Sequence, residues 1–251
     1  MKYLTIELVG GLGNQLFGLA ASDHISKRKN YTFYLKTLES PKTVHSHKKY
    51  FESIFSNWRG CLNTTIRPTS VYHEKHLSEY NIYSISGDNV ELHGYFQNYK
   101  YVEPDFCSKL VFDKSILSKY PNIGNTVFLH IRGGDYANNW LHDVKLDSNY
   151  YPSAIKQFPE GTHFSIFTND IDYAKSKPFL NDISCSFINE NELNSLFLMS
   201  QCSGGICANS TFSWWGSFLN RNRTLVWPSK FMNDPYYING YLFPELIVLD
   251  V

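Results

Sequence analysis

The 251-residue sequence predicts an α/β fold built on parallel sheet, its second half a doubly wound, Rossmann-like unit. Three observations carry this. A strand, a glycine loop and a helical stretch follow one another at the start of the chain. From residue 127 to residue 227, strand-like runs alternate with helical ones at the spacing of βαβ units. Val127-Phe128-Leu129-His130-Ile131 is a run of branched and aromatic side chains around one histidine, the pattern of a strand buried on both faces.

Residues 3 to 9 (Tyr-Leu-Thr-Ile-Glu-Leu-Val) read as the first strand, followed by Gly10-Gly11-Leu12-Gly13-Asn14-Gln15 and a helical stretch to about Lys29. Such a loop lets backbone N–H groups approach a ligand. It is not a dinucleotide fingerprint, because Leu16 stands where the third glycine belongs, and it lacks the Gly-Lys-Ser/Thr of a P-loop. On the glycines alone, a tight turn with close packing is sufficient. The amides of Asn14 and Gln15 suit either a helix cap or the neutral hydroxyls of a sugar. Residues 33 to 86 mix aromatic, polar and charged side chains and yield no chemistry. Val90 to Gln97 then reads as a strand ending at Gly94, with Tyr95 and Gln97 exposed as sugar contacts or as an ordinary aromatic edge.

Residues 113 to 125, with Pro121 and Gly124, mark the boundary between halves, giving domains 1–115 and 116–251. After the central strand come a helix over Tyr150–Gln157, a strand over His163–Thr168 and a short helix over Tyr173–Lys177 stopped by Pro178. A strand over Ile183–Ile188, an amphipathic helix over Glu192–Cys202, a strand over Gly204–Ala208 and a helix over Thr211–Asn220 follow. Thr224–Trp227 closes the series.

Net charge is zero, with no block of like charge, which excludes an electrostatic nucleic-acid binder; His45 to Lys49 is a short solvated loop. Five cysteines without a CxxC pair argue against structural zinc and for a reduced compartment, with Cys202 and Cys207 as small core residues. No leader precedes the first strand and no apolar run reaches the ~18 residues of a membrane span, so a soluble, cytoplasmic protein is expected.

Three polar clusters fall at strand C-termini, where open parallel sheets bind ligands. Arg132 sits beside Gly133-Gly134, and its guanidinium fork suits a phosphate, or else pairs Asp135 across the turn. Thr168-Asn169-Asp170 ends the next strand. Asn209, Ser210, Thr211, Phe212 and Ser213 open a helix whose N-terminus, with three hydroxyls, forms an anion cradle or simply a cap before a Trp214-Trp215 core.

Four segments resemble, in order, the α-1,2-fucosyltransferases of glycosyltransferase family 11. They are Gly10-Gly11-Leu12-Gly13-Asn14-Gln15-Leu16-Phe17, Gly94-Tyr95-Phe96-Gln97, His130-Ile131-Arg132-Gly133-Gly134-Asp135-Tyr136, and Leu198-Met199-Ser200 through Ala208-Asn209-Ser210-Thr211-Phe212-Ser213-Trp214-Trp215. The resemblance spans nearly the whole chain. It implies a GT-B-like pair of Rossmann domains with parallel sheets facing a central cleft, the N-terminal one on the acceptor side. It also implies GDP-fucose as donor and inverting, metal-independent transfer to a glycan hydroxyl, without a cofactor.

On that resemblance Arg132 and Asn14 are the catalytic candidates, Arg132 at the pyrophosphate and Asn14 beside the transferred sugar. Donor binding falls to His130, Asp135, Thr168, Asp170, Asn209, Ser210, Thr211, Phe212 and Ser213. Within that set His130 and Asp170 are assigned to guanine or ribose, with a cap on the following helix as the alternative for Asp170, and Asp135 to orienting Arg132 or its loop. His142 and Asp143 are within reach of the acceptor, and no general base stands out. The family's His-x-Arg-Arg-x-Asp carries a second arginine where this chain has Gly133. That departure leaves open a binding protein of weak activity, or a fucosyltransferase of another linkage.

Overall fold

Each half of the chain folds around its own all-parallel sheet. The structure, a computed structural model, describes residues 2–36, 47–136, 139–144, 146–147, 149–237 and 239–251, without the side chains of His47, Lys48 and Asp135. The basic stretch 45–49 therefore lies largely outside the described residues. Two compact units result: Met1–Phe112 with Tyr236–Phe243, and Asp113–Pro235 with Pro244–Val251.

The first unit contains β1 (Tyr3–Glu7), α1 (Leu12–Lys29), β2 (Thr32–Lys36), α2 (His47–Phe51), β3 (Ser70–His73) and β4 (Asn89–His93). Its sheet runs β2-β1-β4-β3. β1 is two residues shorter than the expected 3–9, and α1 begins inside the expected loop, with Gly11 as its extended N-cap. Of residues 12 to 26, all but Asn14 are buried, so α1 is a core helix with one polar opening at its mouth. It ends at Asn30 in the left-handed region (φ 56°), with Lys27, Arg28 and Lys29 in the last turn facing the negative end of the helix dipole.

The second unit contains β5 (Val127–Ile131), α3 (Tyr150–Ile155), β6 (His163–Thr168), α4 (Ile171–Lys175), β7 (Ser184–Phe187), α5 (Glu192–Gln201), β8 (Gly204–Ile206), α6 (Thr211–Phe218), β9 (Thr224–Pro228) and β10 (Ile247–Leu249). The strand order is β10-β9-β8-β5-β6-β7. β9 does not close the series: β10 pairs with it in parallel, Val248 opposite Trp227. α4 starts two residues earlier than expected because Asp170 caps it, accepting from Tyr173 N at 3.0 Å.

All five residues of β5 are buried, which is why its sequence shows no alternation. Val127, Leu129 and Ile131 share a core with Tyr150, Tyr151 and Ala154 of α3 and Ala174 of α4. On the other face, the His130 ring meets Phe212 of α6 at 5.8 Å. Tyr150 donates its hydroxyl to the carbonyls of Cys207 (2.7 Å) and Val226 (3.0 Å), and Tyr151 donates to that of His130 (3.0 Å). These bonds fix α3 against the ends of β8, β9 and β5. From β5 the chain steps outward to β6 and β7, then crosses to β8 on the opposite side. The crevice between the ends of β5 and β8 is the topological switch point, where ligands of doubly wound sheets bind.

Candidate active site

A cleft of about 450 Å³ opens at that switch point, and all its lining residues belong to the second unit. Arg132 and Tyr136 line it from the loop after β5, and Asn209 from the loop after β8. His142, Asp143 and Asp147 line it from the segment between β5 and α3, and Tyr173 from α4. The Arg132 guanidinium stands 4.8 Å from the centre of the Tyr136 ring, and the His142 imidazole stacks on that ring at 4.2 Å and 10°. A cation held over an aromatic face keeps its charge while losing side-chain freedom.

Gly133 and Gly134 shape the loop that carries Arg132. Asn169 clasps it, accepting from Gly133 N at 3.0 Å and donating to Gly133 O at 3.3 Å. Gly134 takes φ +61°, which glycine adopts without steric cost. A Cβ on Gly133 would lie 2.6 Å from Tyr173 Cδ1 and 3.0 Å from Asp170 Cβ, so α4 occupies the volume of any side chain there.

The other expected site residues divide into cleft and scaffold. Asn209 is buried and donates to the carbonyls of His142 (2.9 Å) and Phe231 (2.8 Å), tying the β8 loop to the cleft wall. Ser210 is the N-cap of α6, accepting from Phe212 N at 3.3 Å. Thr211 opens that helix, half-buried, while Phe212 packs against His130. The Ser213 hydroxyl turns inward to the carbonyls of Ala208 (3.0 Å) and Ser210 (3.2 Å), so it is not a ligand donor here. Thr168 and Asp170 bond each other, Thr168 Oγ1 accepting from Asp170 N at 3.0 Å, and Asp170 Oδ1 accepts the α4 cap bond from Tyr173 N at 3.0 Å. His130 is 3 % exposed; burial, reinforced by the Arg132 charge, pushes its pKa down to about 3 and keeps it neutral. The Asp135 side chain lies outside the described residues.

In the first unit, Gln97 is buried rather than exposed, whereas Tyr95 is open to solvent. The Gln97 amide donates to Asn14 Oδ1 at 3.0 Å and accepts from the Tyr237 hydroxyl at 2.9 Å. Gln97 thus orients Asn14, which explains two separate sequence motifs with one contact. Sequence reasoning missed Asp147, Tyr151 and Tyr173 as cleft residues. Tyr151 and Tyr173 look like core in a helical pattern, and Asp147 lies where no periodicity exists.

A family model, glycosyl transferase family 11, matches residues 92–239, which hold the whole cleft. The chain belongs to glycosyl transferase family 11. This family 11 glycosyltransferase is 29% identical to an α-1,2-colitosyltransferase of Escherichia coli, over 87% of this chain and 88% of that one. It is 34% identical to the O-antigen biosynthesis glycosyltransferase WbnK of Escherichia coli, over 50% of this chain and 44% of that one. Among solved structures, fucosyltransferase NodZ from Bradyrhizobium shares the fold at a TM-score of 0.52 and 13% identity, covering 88% of this chain and 94% of that one. A NodZ α-1,6-fucosyltransferase crystal soaked with GDP-fucose matches at 0.51 and 13% identity, covering 88% and 93%. The family 11 chain is thus an α/β protein of the GT-B-like class. Among the described residues no helix is long and apolar enough to cross a membrane.

Proposed function

We propose that this glycosyltransferase transfers L-fucose from GDP-fucose, with inversion and without a metal, to a glycan hydroxyl, O2 of a galactose-type residue. The observation that carries the reading is the switch-point cleft with Arg132 on its rim and the α6 N-terminus beside the adjoining β8 loop. As the bond from fucose C1 breaks, negative charge grows on the β-phosphate. A guanidinium already fixed over Tyr136, together with the positive end of α6, meets that charge without reorganising. The acceptor hydroxyl attacks C1 from the opposite face, giving inversion. The GDP-fucose-soaked structural neighbour supports the donor assignment.

The test is GDP release from GDP-fucose against an array of glycan acceptors. A charge-assisted bond is worth about 1.5–3 kcal/mol and each 1.36 kcal/mol about tenfold in rate. Arg132→Ala should therefore lower kcat/KM roughly tenfold to a few hundredfold, and a chelator should leave the rate unchanged. Near wild-type turnover in Arg132→Ala would remove the residue from the mechanism. Asn14→Ala should lower turnover more than donor affinity. A second reading follows from the similarity to an α-1,2-colitosyltransferase over 88% of its length: colitose in place of fucose. The same assay with both donors decides between them.

A further inference from the structure

We infer that Glu7, at the carboxyl end of β1, is the general base of the transfer, taking the proton of the attacking acceptor hydroxyl, and that Glu91 keeps it available by holding Lys36 and His93. The inference rests on the transfer reaction proposed above and on Asn14 lying beside the transferred sugar. α1 packs on one face of the first sheet: a Cβ on Gly18 would meet Leu8 Cδ2 at 3.1 Å and Ile6 Cδ1 at 3.3 Å. Strand alternation turns Thr5 and Glu7 to the opposite face. There the register sets Glu7 beside Lys36, Thr5 beside Glu91, and His73 beside His93. Four strands thus gather two carboxylates, an ammonium and two imidazoles near their carboxyl ends, the end at which parallel sheets bind ligands.

The charges in this row are unequally shared. Glu91 Oε2 takes Lys36 Nζ at 2.7 Å, and its Oε1 lies 3.4 Å from His93 Nε2. Burial opposes the Glu91 charge, but Lys36 and then His93 outweigh it and hold its pKa below the ordinary range. Glu7 is half-buried and has neither a hydrogen bond nor an ion pair among the described residues. Burial, and then the Glu91 charge, raise its pKa above the ordinary 4.5, while His93 and Lys36 act on it only through space in the other direction. A carboxylate that is partly desolvated and unbonded is a better proton acceptor near neutral pH than a paired one.

The placement suits the reaction. Gly10 follows Glu7 by three residues, at most about 11 Å of extended chain. Asn14 folds back onto that glycine, since a Cβ on Gly10 would lie 2.6 Å from Asn14 Nδ2. Glu7 and Asn14 therefore flank one loop, a span that a sugar ring with its hydroxyls bridges. In the step assigned here the acceptor oxygen bonds to fucose C1 and its proton passes to the Glu7 carboxylate. The bond from C1 to the phosphate oxygen breaks, leaving its electron pair on the β-phosphate of GDP.

The test follows GDP release against pH with an acceptor that wild type uses, alongside GDP binding by calorimetry. In wild type kcat/KM should fall on the acid side of a pKa above 4.5. Glu7→Gln should lower kcat about 10²- to 10⁴-fold and remove that acid limb from the residual activity. Its GDP affinity should be unchanged, because the cleft belongs to the second unit. Glu91→Gln removes a like charge and releases Lys36 toward Glu7, so it should move the limb to lower pH. Turnover of Glu7→Gln within about tenfold of wild type, or a limb that persists in it, would overturn the assignment. A limb lost in His93→Gln instead would pass the proton to that imidazole. An unmoved limb in Glu91→Gln would overturn the inference even where Glu7→Gln fails to fold. Wild type that binds GDP yet releases none with any acceptor would instead sink the transfer reading.

Discussion

Gly133 shows how one residue redirects a site. Its hydrogen is the only substituent that fits against Tyr173 Cγ, 2.9 Å from where a Cβ would sit. Restoring the family-like arginine should therefore harm rather than help. Overpacking of this kind costs about 1–3 kcal/mol. Gly133→Arg is expected to weaken GDP binding, and adding Tyr173→Ala to recover part of it, as read by calorimetry; a single variant that binds GDP better than wild type would contradict the packing account. His130 carries a different residue-scale prediction. Its pKa falls from 6.5 to about 3 on folding, because burial and then Arg132 oppose the charged form. Below pH 6.5 the unfolded chain binds a proton that the folded chain refuses, so stability is lost as pH falls from 6.5 toward 3. Between pH 7.5 and 5 the loss is about 2 kcal/mol, at 1.36 kcal/mol per unit. In His130→Gln this part of the slope should vanish from denaturant unfolding curves.

At the scale of elements, what could be read from sequence followed burial. β5, β6 and β9 are apolar runs because parallel strands bury both faces, and each was legible within a residue of its ends. β2 and β3 were not legible, since their burial is mixed and Thr32, Ser70, Val71 and His73 are only partly covered or open. β10 escaped for the same reason, having three partly exposed residues. In the site, Arg132 stood out by its charge beside two glycines, and the β8–α6 loop by its hydroxyls at the start of a helix. Asp147 and Tyr173 did not, because their meaning lies in a contact between α4 and the segment before α3. Arg223 is another long-range device. It donates from Nη1 to the carbonyls of Met199 (2.8 Å) and Cys202, and from Nη2 to that of Gly216 (2.7 Å), clamping the ends of α5 and α6. Burial lowers its pKa to about 10, which still leaves it charged at neutral pH. Arg223→Met leaves those carbonyls without their donor and should cost about 2–3 kcal/mol, or several degrees in Tm. GDP affinity should stay unchanged; a loss of affinity without a loss of Tm would show that the clamp acts on the cleft instead.

Across the whole molecule, the chain passes from the first unit to the second after Phe112, returns for Tyr236–Phe243 and leaves again. The returning segment closes on the loop after β4. Gly240 accepts from Tyr99 N at 3.0 Å and donates to Ser78 Oγ at 3.1 Å, while Tyr237 reaches Gln97. A Cβ on Gly240 would stand 2.0 Å from Ser78 O and 2.1 Å from Asn98 Nδ2, a contact that backbone and a buried amide cannot relieve. Gly240→Ala should therefore lift the segment, break the Tyr237–Gln97–Asn14 chain and destabilise the first unit by about 1–3 kcal/mol. The cleft belongs entirely to the second unit, so GDP affinity should hold while transfer slows. Parallel calorimetry and GDP-release rates separate the two effects. If affinity falls as far as the rate, the units do not divide the work of donor binding and sugar transfer, and the role proposed for Asn14 loses its structural basis.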